Sequence, residues 1–181
     1  ELFQTTKQSL IELGYDGFTF SLLADKLNVA RGTLYKYYEN KDELISSFLV
    51  FEMNEFLLEL KQIDTIKGFK RQFDFLLSLI FNHHEVQHFL GMTHQLAKEA
   101  NEKVRVNIEK LNMQHLEMYK HLESFIHLGK KEKYLKSEIP DGLLLGFIFQ
   151  SIAIPNHFGV PHAEWVENIK HIICHGMFTD N

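Results

Sequence analysis

The sequence predicts an all-α fold of about nine helices, and three observations support this prediction. Apolar residues recur every three or four positions along most of the chain, which places them on one face of an α-helix. No proline occurs before Pro140, so most of the chain lacks the residue that interrupts helices. No segment shows the long apolar and polar alternation that a half-buried strand requires.

The composition excludes several classes of protein. With 45% hydrophobic and 24% charged residues among 181, the chain resembles a folded domain in its composition and not a disordered segment. The most apolar run, residues 143–149, is shorter than the roughly 20 residues that a membrane span needs. A single cysteine, Cys174, allows neither an internal disulfide nor a cysteine-based zinc finger, and favours a reducing, cytoplasmic location.

Interruptions of the apolar periodicity mark the ends of the predicted helices. Several of them contain Gly, Asn or Pro, which favour turns over helix interiors. They fall at residues 14–17, 28–29, 39–40, 62–65, 83–85, 97–101, 129–139 and 155–161.

The later helices carry clear apolar faces. One predicted amphipathic helix has apolar residues at i, i+4, i+7, i+8, i+11 and i+12. Residues 141–153 are apolar on nearly every side, which predicts burial on more than one face. A subunit interface and a central core helix both explain this pattern, and we favour the interface. The six residues of the amphipathic stripe are Phe69, Phe73, Leu76, Leu77, Ile80 and Phe81.

Two short helices joined by a tight turn are predicted near the N-terminus. The Thr19 hydroxyl is placed to cap the first helix, and Asn28-Val29 forms the turn. The second helix is expected over residues 30–37. Asn40 then caps the following helix, with Glu43 three residues later at the spacing of a capping box. This arrangement is that of a helix-turn-helix motif.

The second short helix carries the residue types that suit a DNA groove. Small residues at 30 and 32 allow close approach of the backbone, and hydroxyls at 33, 35 and 37 suit phosphate oxygens. Basic residues at 31, 36 and 41 add local charge. The chain has a net charge of −5, but residues 17–41 hold four basic and two acidic residues, a net +2. The candidates for contacts with base edges are Arg31, Thr33, Lys36 and Tyr37, and the sequence does not rank them.

These residues resemble the DNA-binding end of the TetR family of bacterial transcriptional regulators. The resemblance covers residues 14–44 and departs from the family pattern at Ser21, Ala30 and Tyr38. It implies that the second short helix enters the major groove and that Lys41 holds a phosphate at the start of the fourth helix. The matching pieces are Gly14-Tyr15, Gly17-Phe18-Thr19, Leu23-Ala24, Val29-Ala30-Arg31-Gly32-Thr33-Leu34-Tyr35, Tyr38 and Lys41-Asp42-Glu43-Leu44. The predicted DNA-binding residues are Thr19, Ser21, Ala30, Arg31, Gly32, Thr33, Tyr35, Lys36, Tyr37 and Lys41.

The resemblance also implies a domain organisation and a function. A helix-turn-helix DNA-binding domain is expected over residues 1–46, and a ligand-binding and dimerisation domain, an antiparallel helical bundle, over residues 47–181. The implied homodimer forms through the last two helices, about 141–153 and 163–178. The implied function is that of a ligand-responsive transcriptional repressor, which a small, partly apolar effector releases from a palindromic DNA operator.

An apolar effector needs an apolar cavity, and the chain contains sixteen Phe and five Met. His115 interrupts an apolar seam, so it is either hydrogen-bonded within the core or the polar end of a ligand site. Core packing explains most of the candidates equally well. The candidate lining residues are Phe73, Leu77, Phe89, Met92, His115, Met118, Tyr119, Phe147 and Phe158.

Other functions find less support in the sequence. The pairs His84/His88 and His171/His175 have the i, i+4 spacing of metal ligands, but no Glu-x-x-His repeat accompanies them. We therefore predict no metal site, and we assign no cofactor and no membrane partner. No activated nucleophile pair and no glycine-rich phosphate loop is present, so we predict no enzyme. The alternative is a non-catalytic helical-bundle carrier or adaptor that binds an apolar ligand or a protein partner.

Overall fold

The computed structural model describes residues 1–83, 85, 89, 91–96, 101–151, 154 and 156–177, and it confirms the predicted all-α fold. In these ranges the chain forms nine α-helices and one 3-10 helix. The α-helices are α1 (Leu2–Gly17), α2 (Phe20–Leu27), α3 (Arg31–Tyr35), α4 (Lys41–Leu60), α5 (Phe69–Asn82), α6 (Thr93–Leu96), α7 (Glu102–Lys131), α8 (Asp141–Gln150) and α9 (His162–Met177), and the 3-10 helix is η1 (Lys61–Thr65).

Several predicted helix ends differ from the observed ones. Gly14, with φ 65° and ψ −178°, kinks α1, but helical backbone resumes and continues to Gly17. The second helix of the motif, expected over 30–37, is regular only from Arg31 to Tyr35, because Ala30 is extended. The helix expected over 141–153 ends at Gln150. Residues 152, 153 and 178, included in the predicted interface helices, lie outside the described residues.

The chain divides into two compact units. Unit 1 consists of residues 1–55 and 85–114, and unit 2 of residues 56–84 and 115–181. The predicted boundary between residues 46 and 47 divides the chain by expected function, whereas the two units divide it by compactness. The functional boundary therefore stays a prediction.

The core of unit 1 forms around the helix-turn-helix segment. Helix α1 contacts α2, and α2 contacts α3. Leu10, Leu23 and Leu44, from three different helices, are completely buried. The Phe48 ring of α4 makes edge contacts with Phe89, at 5.2 Å between ring centroids. The first three helices thus share one apolar core with the start of α4.

The core of unit 2 forms around α5. All six residues of its predicted apolar stripe are buried, as expected for an amphipathic helix that packs through one face. The Phe69 ring stacks on Phe125 of α7, at 4.8 Å between centroids, and on Tyr134, at 5.8 Å. This aromatic cluster holds the start of α5 against the end of α7.

Helix α8 is less buried than the sequence predicts. Leu144, Leu145 and Ile148 are buried, whereas Leu143 is 61% exposed and Phe147 is 53% exposed. The expectation of burial on more than one face is therefore not met within a single chain. Positions 143 and 147 are one helical turn apart, so they form one exposed apolar side.

Gly129 lies where a side chain does not fit. An added Cβ would stand 2.6 Å from Cε2 of Phe69 and 2.7 Å from Cδ1 of Leu135, and both neighbours are buried. We expect Gly129→Ala to lower the free energy of unfolding by about 1–3 kcal/mol, the usual cost of overpacking. Urea denaturation measures the change. Gly142→Ala is the matched control, because nothing lies within 4 Å of its Cβ position; an equal loss there would contradict the steric explanation.

Candidate nucleic-acid interface

Helix α2 begins at the threonine that the sequence predicts as its cap. The backbone of Thr19 is extended, and its Oγ1 accepts a hydrogen bond of 3.3 Å from the Leu22 N–H. This bond satisfies one of the N–H groups that a helix start leaves without a partner. Thr19 and Ser21 are both exposed at this helix start.

The turn between α2 and α3 is built on a left-handed residue. Asn28 adopts φ 54° and ψ 44°, a conformation that Asn tolerates better than most residues. The Val29 N–H then donates to the Ala24 carbonyl at 3.0 Å, as in a Schellman helix end. The predicted tight turn at Asn28-Val29 is therefore present.

Helix α3 exposes one side and buries the other. Leu34 is buried, while Arg31, Gly32 and Lys36 are exposed and Tyr37 is 71% exposed. Turn bonds from the N–H groups of Tyr37 and Tyr38 to the Leu34 carbonyl, both 3.0 Å, continue the helical path beyond α3. The predicted DNA-binding residues between positions 30 and 37 are therefore exposed, except Thr33, which is half-buried; Lys41 in α4 is half-buried as well.

Tyr35 and Arg31 support each other on this surface. Arg31 Nη2 donates to Tyr35 Oη at 2.9 Å, one helical turn away. The Tyr35 ring in turn packs edge-on against Phe20, at 5.0 Å between centroids. The guanidinium is thereby held along α3, with other N–H groups left for a further acceptor.

Lys41, at the start of α4, is bound to the end of α1. Its Nζ donates to the Tyr15 carbonyl at 2.9 Å and lies 4.1 Å from the centre of the Tyr15 ring. The Tyr15 hydroxyl donates to Asp42 Oδ1 at 2.8 Å. Burial and this hydrogen bond to Asp42 raise the pKa of Tyr15, so the phenol stays neutral. No sequence pattern identified Tyr15 as the partner of Lys41 and Asp42, because a single sequence does not reveal contacts between residues 26 and 27 positions apart.

The start of α4 is capped as predicted, with one difference. Asn40 Oδ1 accepts the Glu43 N–H at 2.9 Å, but the Glu43 carboxylate accepts the N–H of Glu39 at 3.0 Å. A standard capping box would use the N–H of the cap residue itself. The hydrogen bond from the Glu39 N–H to the Glu43 carboxylate fixes the segment that joins α3 to α4.

The nine predicted ligand-lining residues fall into different environments. Phe89 and Met92 belong to unit 1, and the other seven belong to unit 2. Phe73, Leu77, Phe89, Met92 and Met118 are buried and His115 is half-buried. Tyr119 and Phe147 are each 53% exposed and Phe158 is 93% exposed, so in a single chain these three face solvent. Their role in ligand binding stays a prediction.

Unit 1 contains an open groove of about 800 Å³ that the sequence does not predict. None of the nine predicted ligand residues lines it. Its apolar walls come from Leu2, Phe3 and Phe51, and Lys7 forms an ion pair of 3.0 Å with Glu52 at its edge. No local pattern in the sequence indicates this groove, because its walls come from helices about 50 residues apart.

One of the two histidine pairs, His171/His175, lies in the described part of the chain. His84 and His88 lie outside it. The rings of His171 and His175 are 3.8 Å apart between centroids, and His175 Nδ1 lies 2.7 Å from the His171 carbonyl oxygen. No group of three His, Cys, Asp or Glu with a metal-binding arrangement occurs among the described residues.

No helix in the described ranges combines the length and the apolar character needed to cross a bilayer.

Comparisons with known proteins agree with the motif and the fold. Residues 2–48 match the model of the bacterial regulatory proteins of the tetR family. An uncharacterized HTH-type transcriptional regulator of Haemophilus influenzae is 37% identical over 75 residues, which cover 40% of each protein. The ketosteroid transcriptional regulator KstR2 of Mycobacterium tuberculosis is 18% identical, with a TM-score of 0.74 over 99% of this chain and 94% of that one. FadR of Bacillus subtilis in complex with stearoyl-CoA is 20% identical, with a TM-score of 0.68 over 97% of both chains.

The half-buried His115 is expected to make the stability of the fold depend on pH. Burial lowers the pKa of its imidazole below the ordinary value of 6.5. Below about pH 6.5 the unfolded chain therefore binds a proton more readily than the folded chain, and stability falls as the pH falls. We expect His115→Gln to reduce the fall in the free energy of unfolding between pH 7.5 and 5.5. The reduction is at most about 1.4 kcal/mol per pH unit. Urea midpoints measure it. His157→Gln, at an exposed histidine, is the control; an unchanged pH slope in His115→Gln would refute the assignment.

Proposed function

We propose that the chain is a DNA-binding transcriptional regulator of the TetR family of bacterial regulatory proteins, whose family model matches residues 2–48. The exposed side of α3, opposite the buried Leu34, is the observation that carries this proposal. It presents a short helix of the size that enters a major groove. We expect the protein to act in the cytoplasm, where DNA is found, and to have no catalytic role.

The proposed contacts divide between the DNA backbone and the bases. Tyr35, held by the Arg31 side chain, and Lys41, held by the carbonyl and ring of Tyr15, suit phosphate oxygens. Lys41 also stands at a helix start, where the helix dipole favours an anion. Thr33 and Lys36 suit base edges in the major groove. Thr19, Ser21, Ala30, Arg31, Gly32 and Tyr37 complete the proposed interface.

We propose a homodimer that forms through α8 and α9. The exposed apolar side of α8, with Leu143 and Phe147, supports this, and Ile172 of α9 is 60% exposed as well. Large apolar side chains on a helix surface mark interaction sites. A symmetric dimer would present two α3 helices to a palindromic operator, with about 34–36 Å between successive major grooves.

The proposed effector is a long-chain acyl thioester of coenzyme A, in which the acyl chain is the apolar part. The solved structure of a similar fold with stearoyl-CoA and the Phe-rich interior support this choice. The effector would lower operator affinity by favouring a state of the dimer in which the two α3 helices do not match successive grooves. The protein would then act as a repressor that the acyl-CoA releases.

A selection of bound sequences from random DNA, followed by fluorescence anisotropy, tests the DNA-binding proposal. We expect Lys41→Met to weaken binding to all sequences alike and to reduce the salt slope by about 0.9 for each phosphate that the variant no longer neutralises. We expect Thr33→Val and Lys36→Met to change the preferred bases. Each bidentate contact between a side chain and a base discriminates against the wrong base by about 1–3 kcal/mol.

Lys120→Met is the control, since this exposed lysine lies on α7 in unit 2 and the helix-turn-helix segment belongs to unit 1. The same titration gives the number of chains bound to each operator, and we expect two chains. Sequence-independent losses from all three interface variants would contradict the division between backbone and base contacts. Absence of any sequence preference in the wild-type protein would refute the regulator and favour the carrier or adaptor.

Stearoyl-CoA added to the protein–operator complex tests the proposed effector. We expect operator affinity to fall at least about fivefold, within the usual range of coupling between two sites. Free coenzyme A and free stearate are the controls, and we expect neither to act at the same concentration. Unchanged affinity with stearoyl-CoA would reject the acyl-CoA class and leave the DNA-binding proposal intact.

A further inference from the structure

The start of α4 is bound by residues that lie about 60 positions later in the chain. Lys103 Nζ, at the start of α7, contacts Glu43 Oε1 at 2.7 Å. Asn101 Nδ2 donates to Glu39 Oε2 at 3.0 Å. Because the Glu43 carboxylate also accepts the Glu39 N–H, both ends of the short segment 39–43 are connected to the first turn of α7 or to Asn101, the residue just before it. All these residues belong to unit 1.

A second set of contacts continues along the two helices. Asn107 Nδ2 donates to the hydroxyls of Ser46 and Ser47, at 3.0 Å each. Gln114 Nε2 donates to the Val50 carbonyl at 3.2 Å. The α7 donors are spaced at steps of four and seven residues, so they share one face of the helix. Their acceptors advance along α4 in the same order, so the two segments lie side by side and run in the same direction.

The Glu43–Lys103 contact has consequences beyond an ordinary surface ion pair. The Glu43 residue is only 4% exposed, and a buried carboxylate needs charged or polar partners to offset its lost hydration. Burial alone would raise the pKa of Glu43, but the hydrogen bonds from Lys103 and from the Glu39 N–H outweigh it and lower that pKa. Removal of Lys103 would therefore leave a buried charge with fewer partners.

We infer that Lys103 and Asn107 are positioning residues for DNA binding, although neither belongs to the helix-turn-helix segment. They hold the first turns of α4, and through Glu43 and Glu39 they hold the connection to α3. A shift of this connection would move α3 relative to Lys41, and the predicted base and phosphate contacts would no longer fit one DNA site together. This inference rests on the proposed DNA-binding function, which it extends to residues of α7.

The test compares Lys103→Met with the conservative variant Lys103→Arg in the full chain. We expect Lys103→Met to weaken operator binding about tenfold, a typical coupling between sites, with an unchanged slope of log affinity against log salt. Lys103→Arg keeps the cation and is expected to bind like the wild type. Hydrogen exchange should show faster exchange of the amides of residues 37–44 in Lys103→Met, with α5 unchanged as an internal control for folding. Lys120→Met controls for removal of a lysine from the same helix.

A double-mutant cycle then asks whether Lys103 acts through Glu43. Glu43→Gln removes the charge that Lys103 offsets and keeps an acceptor for the Glu39 N–H. We expect the double variant to bind the operator no more weakly than Lys103→Met alone, because no unpaired carboxylate remains. Asn107→Ala changes no charge and provides a second variant. We expect it to weaken operator binding and to leave the slope of log affinity against log salt unchanged.

Three results would overturn the inference. A salt slope reduced by about 0.9 in Lys103→Met would mean that Lys103 itself contacts a phosphate. Wild-type operator affinity in both Lys103→Met and Asn107→Ala would mean that these two side chains do not position α3. Additive losses in the cycle would mean that Lys103 acts independently of Glu43. A wild-type chain that binds no operator would refute the proposed function instead, so the two failures are distinguishable.

Discussion

Burial of Leu34 is the constraint on which the proposed interface depends. Helix α3 has five residues, far fewer than the roughly 12–15 that an isolated helix needs for stability in water. Its orientation must therefore come from tertiary contacts, and Leu34 is its buried residue. Once Leu34 points into the core of unit 1, helical geometry directs Lys36, about 200° further around the axis, outwards, while Arg31 is exposed at the first position of the helix. The polar surface of α3 is a consequence of where its one apolar anchor lies.

The two ends of α3 are fixed by different kinds of contact. Before it, the left-handed Asn28 and the bond from Val29 to Ala24 set the direction in which the chain leaves α2. After it, Asn40 and Glu43 bind backbone N–H groups at the start of α4. A short helix between two fixed ends has little freedom to tilt. This rigidity suits recognition, because a protein that is already ordered loses less entropy when it binds.

Local features of the fold could be predicted from the sequence, and long-range ones could not. The Thr19 cap, the Asn28 turn and the buried stripe of α5 each depend on residues within a few helical turns, so the local pattern contains the information. The contact between Lys103 and Glu43 depends on how helices 60 residues apart pack, and no local pattern encodes it. The exposure of Phe158 shows the same limit, since an aromatic residue predicts burial only when another surface covers it.

The acidic residues at the start of α4 would be expected to repel DNA, yet neither carboxylate is free. Acidic side chains in the first turn of a helix interact favourably with its dipole, which explains Asp42 and Glu43 at these positions. Asp42 accepts the hydroxyl of Tyr15, and Glu43 is buried against Lys103. Lys103 thus offsets the charge of Glu43 within unit 1, the neutral Tyr15 hydroxyl donates to Asp42 without cancelling its charge, and Lys41 remains the cation at the helix start. An acidic chain can in this way present a locally favourable site to a phosphate without a large basic surface.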